Sequence, residues 1–151
     1  MSTNTTADTI EAPASKSSGH ILVTIARLLL GLMFLVFGLN GFFHFIPMPK
    51  TPPPPGVITL MGAFAKVGYF MPMIFATQTI VGVLLLTNTF VPLALALIAP
   101  VIVNIILFHI FLSPATIGPG IVVTLLEIFL VWSYRGSFAP MLALKTKHTT
   151  G

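Results

Sequence analysis

The sequence contains no cysteine and very few acidic side chains. Without that sulfur the chain cannot form disulfides, zinc–thiolate sites or iron–sulfur clusters, so any redox role needs a bound cofactor or a partner. Charged residues make up 7% of the chain, against about 25% in a soluble domain. The few bases are scattered singly, which argues against nucleic acid as a partner because a nucleic-acid interface needs a clustered basic patch.

Apolar residues are abundant instead. They make up 56% of the 151 residues, and the mean hydropathy is +1.03, so the solvent for most of the chain is lipid. A helix needs about 20 mainly apolar residues to cross a bilayer. The sequence predicts an all-α integral membrane protein, a four-transmembrane-helix bundle occupying residues 20–142, with spans at residues 21–46, 71–90, 91–112 and 120–138.

The segments between and beyond these spans are distinct in composition. Residues 1–19 are small and polar and are predicted to form a disordered tail, and residues 143–151 form a second tail. Consecutive prolines in PMPKTPPPPG exclude a helix there. The following VITLMGAFAKVGYF is too short to span and carries Lys66, which predicts a short interfacial helix after the first span.

The distribution of bases predicts the orientation. With four spans, both termini share one side of the membrane, and the positive-inside rule places the more basic side in the cytoplasm. One side carries Lys16, Arg27, Arg135, Lys145 and Lys147, and the other carries Lys50 and Lys66. We therefore expect both tails to be cytoplasmic and the proline-rich loop to face outward.

Polar side chains within the spans are the candidate functional groups, because each is unfavourable in lipid without a partner. At about 1.5 Å rise per residue, they gather within roughly 13 Å of the outer helix ends. They are Asn40, His44, Gln78, Asn104, His109 and Glu127. Two interpretations are open: a cup that holds a small polar headgroup, or groups that satisfy one another across helices and lock the bundle.

Glu127 is the one acid within a predicted span, and we expect it to be paired or protonated there. By estimated depth in the membrane, Glu127 lies closer to the histidines and amides than to Arg27, so we expect one of the former as its partner. Arg27 lies near the inner boundary, where it either pairs with Glu127 or snorkels to the headgroups. No metal site is predicted, because no two histidines share a helix face at close spacing.

Four ordered segments together resemble the DoxX-like family of small bacterial membrane proteins: ARLLLGLMFLVFGLNGFFHF, AFAKVGYFMP with QTIVGVLLL, VPLALALIAPVIVNIILFH and YRGSFAPML. The resemblance covers roughly residues 26–142 and implies four helices in the bacterial cytoplasmic membrane. Gln78 departs from the pattern, since family members often carry an acid there. Members of the family are associated with redox complexes. The resemblance implies the fold more firmly than it implies a reaction.

Two functions remain open. The first is an accessory subunit of a membrane redox system, with quinone as the possible cofactor in the polar cup. The second is a non-catalytic scaffold or assembly protein whose intramembrane polar residues are structural. Neither requires a stand-alone enzyme. In both, the chain lies in the lipid bilayer and has a membrane redox complex or assembly as its expected partner.

Overall fold

The computed structural model describes residues 16–47 and 51–140. Every regular element in those residues is helical, which confirms the all-α prediction. The elements are α1 Lys16–Phe43, α2 Pro55–Val67, α3 Phe70–Leu86, α4 Val91–Leu112, a 3₁₀ turn Pro114–Thr116, α5 Gly118–Ser133 and α6 Arg135–Phe138.

Four of these helices pack in a closed ring. α1 contacts α3 and α5, and α4 contacts the same two helices from the opposite side. The centre is filled by fully buried side chains, among them Leu30, Phe34, Leu85, Ile98 and Leu130. Large apolar side chains also cover the outside of the ring. A bundle that is apolar on both its inner and outer surfaces is typical of a membrane domain.

Two helices are long and apolar enough to cross a bilayer: residues 19–43 of α1, and α4. α2 and α3 meet at a bend of 92° and together meet the same test as one broken span, whereas α5 has only 16 residues. The described part of the chain therefore has two candidate spans, or three if α2 and α3 count as one. The predicted four spans differ from this number because α3 and α5 are shorter than the apolar segments that contain them.

Both ends of α1 differ from the prediction. The helix already includes residues 16–19, which were assigned to the polar tail, while residues 1–15 lie outside the described part of the chain. At its other end α1 stops at Phe43 instead of residue 46, because His44 adopts a left-handed φ of 52°. The Asn40 side-chain carbonyl then accepts a hydrogen bond from the Ile46 amide at 2.7 Å, which fixes the turn.

Glycines bring α1 and α3 into backbone contact. A methyl group added at Gly38 would lie 2.7 Å from the Thr79 nitrogen and 2.9 Å from the Phe75 oxygen, and one added at Gly82 would lie 2.6 Å from the Leu35 nitrogen. Small residues allow such close approach where lipid supplies no hydrophobic drive between helices. We call this contact the glycine seam; it makes α1 and α3 the most closely packed pair of the ring.

The turn between α3 and α4 is a Schellman motif. Asn88 has a left-handed φ of 57°, the Thr89 amide donates to the Leu84 carbonyl at 2.9 Å, and the Asn88 amide donates to the Leu85 carbonyl at 3.3 Å. These bonds satisfy carbonyls that the helix end leaves free. The turn consists of the polar residues 87–89, and it directs α4 back alongside α3.

Candidate functional site

A pocket of about 540 Å³ lies at the end of the ring where α1 and α4 finish and α3 and α5 begin. Aromatic rings of Phe34, Phe37 and Phe75 form much of its wall. Its polar lining consists of Asn40, His44, Gln78, His109 and Thr116. The pocket thus brings together four of the six residues of the predicted cup: one from each of α1, α3 and α4, and His44 directly after α1.

Gln78 is the most enclosed polar group of the pocket, with 8% of its surface exposed. None of the side-chain hydrogen bonds within residues 16–47 and 51–140 involves its amide. Its amide atoms are not among the fully buried ones, so they stay accessible from the pocket that they line. Gln78 therefore offers both a donor and an acceptor to a molecule in the pocket.

His109 is oriented by its own helix. Its Nδ1 lies 2.7 Å from the Ile105 carbonyl, and the absence of a side chain at Gly120 leaves space beside the same nitrogen. A carbonyl oxygen can only accept, so Nδ1 carries the proton and donates it to Ile105. In the neutral ring Nε2 is then left as a hydrogen-bond acceptor.

Asn40 and His44 lie nearer the rim. The Asn40 carbonyl is engaged by the Ile46 amide, so this side chain shapes the mouth of the pocket as well as lining it. His44 is exposed, and its left-handed backbone ends α1. Both residues were predicted from their depth in the first span. Their role in ending α1 was not predicted.

Asn104 does not line the pocket with the other predicted residues. It is exposed on the outside of α4, and its amide nitrogen donates to the Pro100 carbonyl of the same helix at 3.0 Å. Five residues separate Asn104 from His109, and this spacing rotates one side chain about 140° from the other around a helix of 3.6 residues per turn. Asn104 and His109 are close in depth, but their side chains face different directions around α4.

Glu127 lies one helical turn beyond Val123, deeper in the bundle than the pocket lining. Only 6% of its surface is exposed, and both carboxylate oxygens are buried with no hydrogen-bond partner among the described residues. The expected partnership with a histidine or an amide is not present in this arrangement. Glu127 is thus adjacent to the pocket through its helix face but does not line it.

Arg27 is buried, with 8% of its surface exposed, so it does not extend to the headgroup region. Its guanidinium donates to the Leu85 carbonyl in the last turn of α3. A cation at this position also interacts favourably with the negative end of the helix dipole. Arg27 caps α3 from α1, a role that neither the ion-pair nor the snorkelling interpretation included.

Sequence reasoning also missed part of the lining, including the polar Thr116 and the small Gly120. Both lie within the helix-breaking SPATIGPG segment, residues 113–120, whose prolines and glycines mark a turn but do not show what the turn faces. Within residues 16–47 and 51–140, no group of three or more His, Asp or Glu side chains is placed to hold a metal ion.

A comparison of the chain with family models, curated proteins and solved structures finds no match.

Proposed function

We propose that this protein is a DoxX-like membrane protein whose pocket holds a quinone headgroup, as an accessory subunit of a membrane redox system. The single observation that carries the proposal is the pocket itself, where an unpartnered Gln78 amide and an oriented His109 face one aromatic-walled space. Small-molecule sites typically combine an apolar wall with a few converging polar groups.

The hydrogen-bonding groups suit both oxidation states of such a headgroup. A quinone carbonyl accepts hydrogen bonds, and the Gln78 amide nitrogen can donate one. A quinol hydroxyl donates, and the neutral His109 ring presents Nε2 as the acceptor. The rings of Phe37 and Phe75 supply the faces against which an aromatic headgroup stacks.

The proposed arrangement in the membrane has four spans, formed by α1, α3, α4 and α5. The ring of four antiparallel helices supports it, because the outer surface of each helix carries exposed large apolar side chains. α2, which bends by 92° from α3, would lie along the interface. With both termini in the cytoplasm of a bacterial cell, the pocket opens at the outer end of the bundle.

A scaffold or assembly role is the second candidate, and a specific observation favours it. Most of the intramembrane polar side chains already bond to the backbone of the protein: Arg27 to Leu85, Asn40 to Ile46 and His109 to Ile105. Gln78 is different, because it has no such bond among the described residues. The two functions therefore make opposite predictions for Gln78.

The test is quinone retention. The protein is purified from native membranes in mild detergent, and the quinone extracted per mole of protein is measured for the wild type, Gln78→Leu and Thr77→Val. Thr77 is the matched control, since it neighbours Gln78 on α3 but bonds to Met73 and does not line the pocket. Loss of about 1.4 kcal/mol of hydrogen bonding should lower the affinity about tenfold in Gln78→Leu.

A wild-type protein that retains no quinone, and binds none when quinone is added, would refute the redox-subunit proposal. In that case the scaffold function predicts an unchanged partner yield in Gln78→Leu and a reduced yield in variants of Arg27.

A further inference from the structure

An outward-facing groove between α1 and α5 adjoins the polar pocket. This groove has a volume of about 420 Å³, and every side chain that lines it is apolar: Leu32, Met33, Val36, Phe37, Pro119 and Val122. Phe37 and Pro119 line the groove and the pocket alike. A polar cavity and an apolar cavity therefore share one boundary, formed by a single residue from each helix.

The groove faces the surroundings of the bundle and not its core. Leu32, Phe37 and Val122 are 52%, 43% and 43% exposed. In a membrane, side chains on this side of α1 and α5 contact lipid tails. The groove thus faces the hydrocarbon region, on a different side of the bundle from the pocket rim beside His44.

We propose that the groove holds the tail of a membrane lipid whose small uncharged headgroup occupies the polar pocket. The ligand comes from the bilayer, and its headgroup enters sideways between Phe37 and Pro119. The inference rests on the proposed function, because it takes the pocket as the headgroup site. It adds the class of ligand, a single-chain amphipathic lipid, and the route by which that ligand enters.

The boundary that the two cavities share at Phe37 and Pro119 is the reason for this assignment. A headgroup beside Gln78 that carries a long tail must place that tail somewhere, and the groove adjoins the pocket on its apolar side. From Leu32 to Phe37 the α1 axis rises about 7.5 Å, enough for the first segment of an alkyl or prenyl chain. Beyond this length the tail returns to the bilayer.

The groove is not expected to add affinity through the hydrophobic effect, since lipid tails are as apolar as its walls. Its role is to let the tail remain in apolar surroundings while the headgroup forms hydrogen bonds. Obstructing the groove should therefore act on ligands that carry a tail and spare those that do not.

The experiment compares two probes: a benzoquinone with a decyl tail and the same benzoquinone without a tail. Binding of each is measured by calorimetric titration of the protein in detergent micelles. Val122→Trp fills the groove from α5, and Val36→Trp fills it from α1 and serves if the first variant does not fold. Ile121→Trp is the matched control, because Ile121 is as exposed as Val122 and lines neither cavity.

We expect Val122→Trp to weaken binding of the decyl probe about tenfold or more and to leave the tailless probe within about twofold, since the indole obstructs only the tail. Ile121→Trp should change the binding of neither probe.

Equal binding of the decyl probe to the wild type and both groove variants overturns the inference while the proposed function stands. Equal weakening of both probes also overturns it, because the substitution then acts on the headgroup pocket. Failure of the wild type to bind either probe overturns the proposed function itself.

Discussion

The glycine seam allows a stability prediction from a single added methyl group. In Gly38→Ala, the new Cβ would lie 2.5 Å from the Thr79 Oγ1, 2.7 Å from the Thr79 nitrogen and 2.9 Å from the Phe75 oxygen. Two of these three atoms belong to the α3 backbone, so a side-chain rotation cannot relieve the overlap. α1 and α3 must move apart, and the contacts along the whole seam weaken with them.

The magnitude follows from two opposing effects. Alanine in a helix interior is favoured over glycine by about 1 kcal/mol, whereas forcing extra volume into a packed interface typically costs about 1–3 kcal/mol. With backbone atoms as the obstacle we take the upper part of that range. The free energy of unfolding should therefore fall by about 1–2 kcal/mol in Gly38→Ala.

The assay is reversible unfolding by SDS in mixed micelles, followed by the loss of helical circular dichroism. Gly62→Ala is the control: Gly62 lies within α2, and an added methyl group meets no atom within 4 Å. It should be as stable as the wild type or slightly more stable. A Gly38→Ala protein that matches or exceeds the stability of Gly62→Ala would refute the close approach of the two helices.

Two further substitutions test the buried charged groups by the same unfolding assay. Arg27→Ala removes the charged donor to the Leu85 carbonyl, which keeps its bond from the Asn88 amide, and should lower the free energy of unfolding by about 1.5 kcal/mol, the lower end of the range for hydrogen bonds to charged groups. Arg135→Ala, whose guanidinium stacks on exposed Trp132 at 5.0 Å, should lower it by less than about 1 kcal/mol; similar losses in both variants would argue against the cap. Glu127→Leu removes a buried carboxyl group without a partner and should raise stability by about 1–3 kcal/mol, and more than Glu127→Gln does. A less stable Glu127→Leu protein would mean that the carboxyl group has a favourable partner in solution.

The helical character of the chain could be predicted from the sequence, and a helix limit could be predicted where particular residues mark it. α4 spans the predicted residues, since Pro92 fits only the first turn of a helix and Ser113 and Pro114 interrupt the apolar run. The end of α1 was not predictable from hydropathy, because Phe45 and Ile46 continue the apolar pattern. A side-chain hydrogen bond from Asn40 sets that end instead.

The candidate site was predictable in depth but not in direction. Counting residues from the helix ends correctly placed Gln78 and His109 near one end of the bundle. The rotation of each helix about its axis depends on packing between helices, which one sequence does not reveal. Asn104 was grouped with the pocket for this reason, and the capping role of Arg27 was missed because its acceptor is a backbone carbonyl on another helix.

The glycine seam divides the bundle into two mechanically unequal halves. α1 and α3 touch through their backbones, so any relative movement between them requires the loss of many contacts at once. α1 and α5 instead meet across a gap bounded by side chains, which rotamer changes alone can widen or narrow. If the bundle opens at all, α5 should be the element that moves, with the α1–α3 pair as its fixed frame.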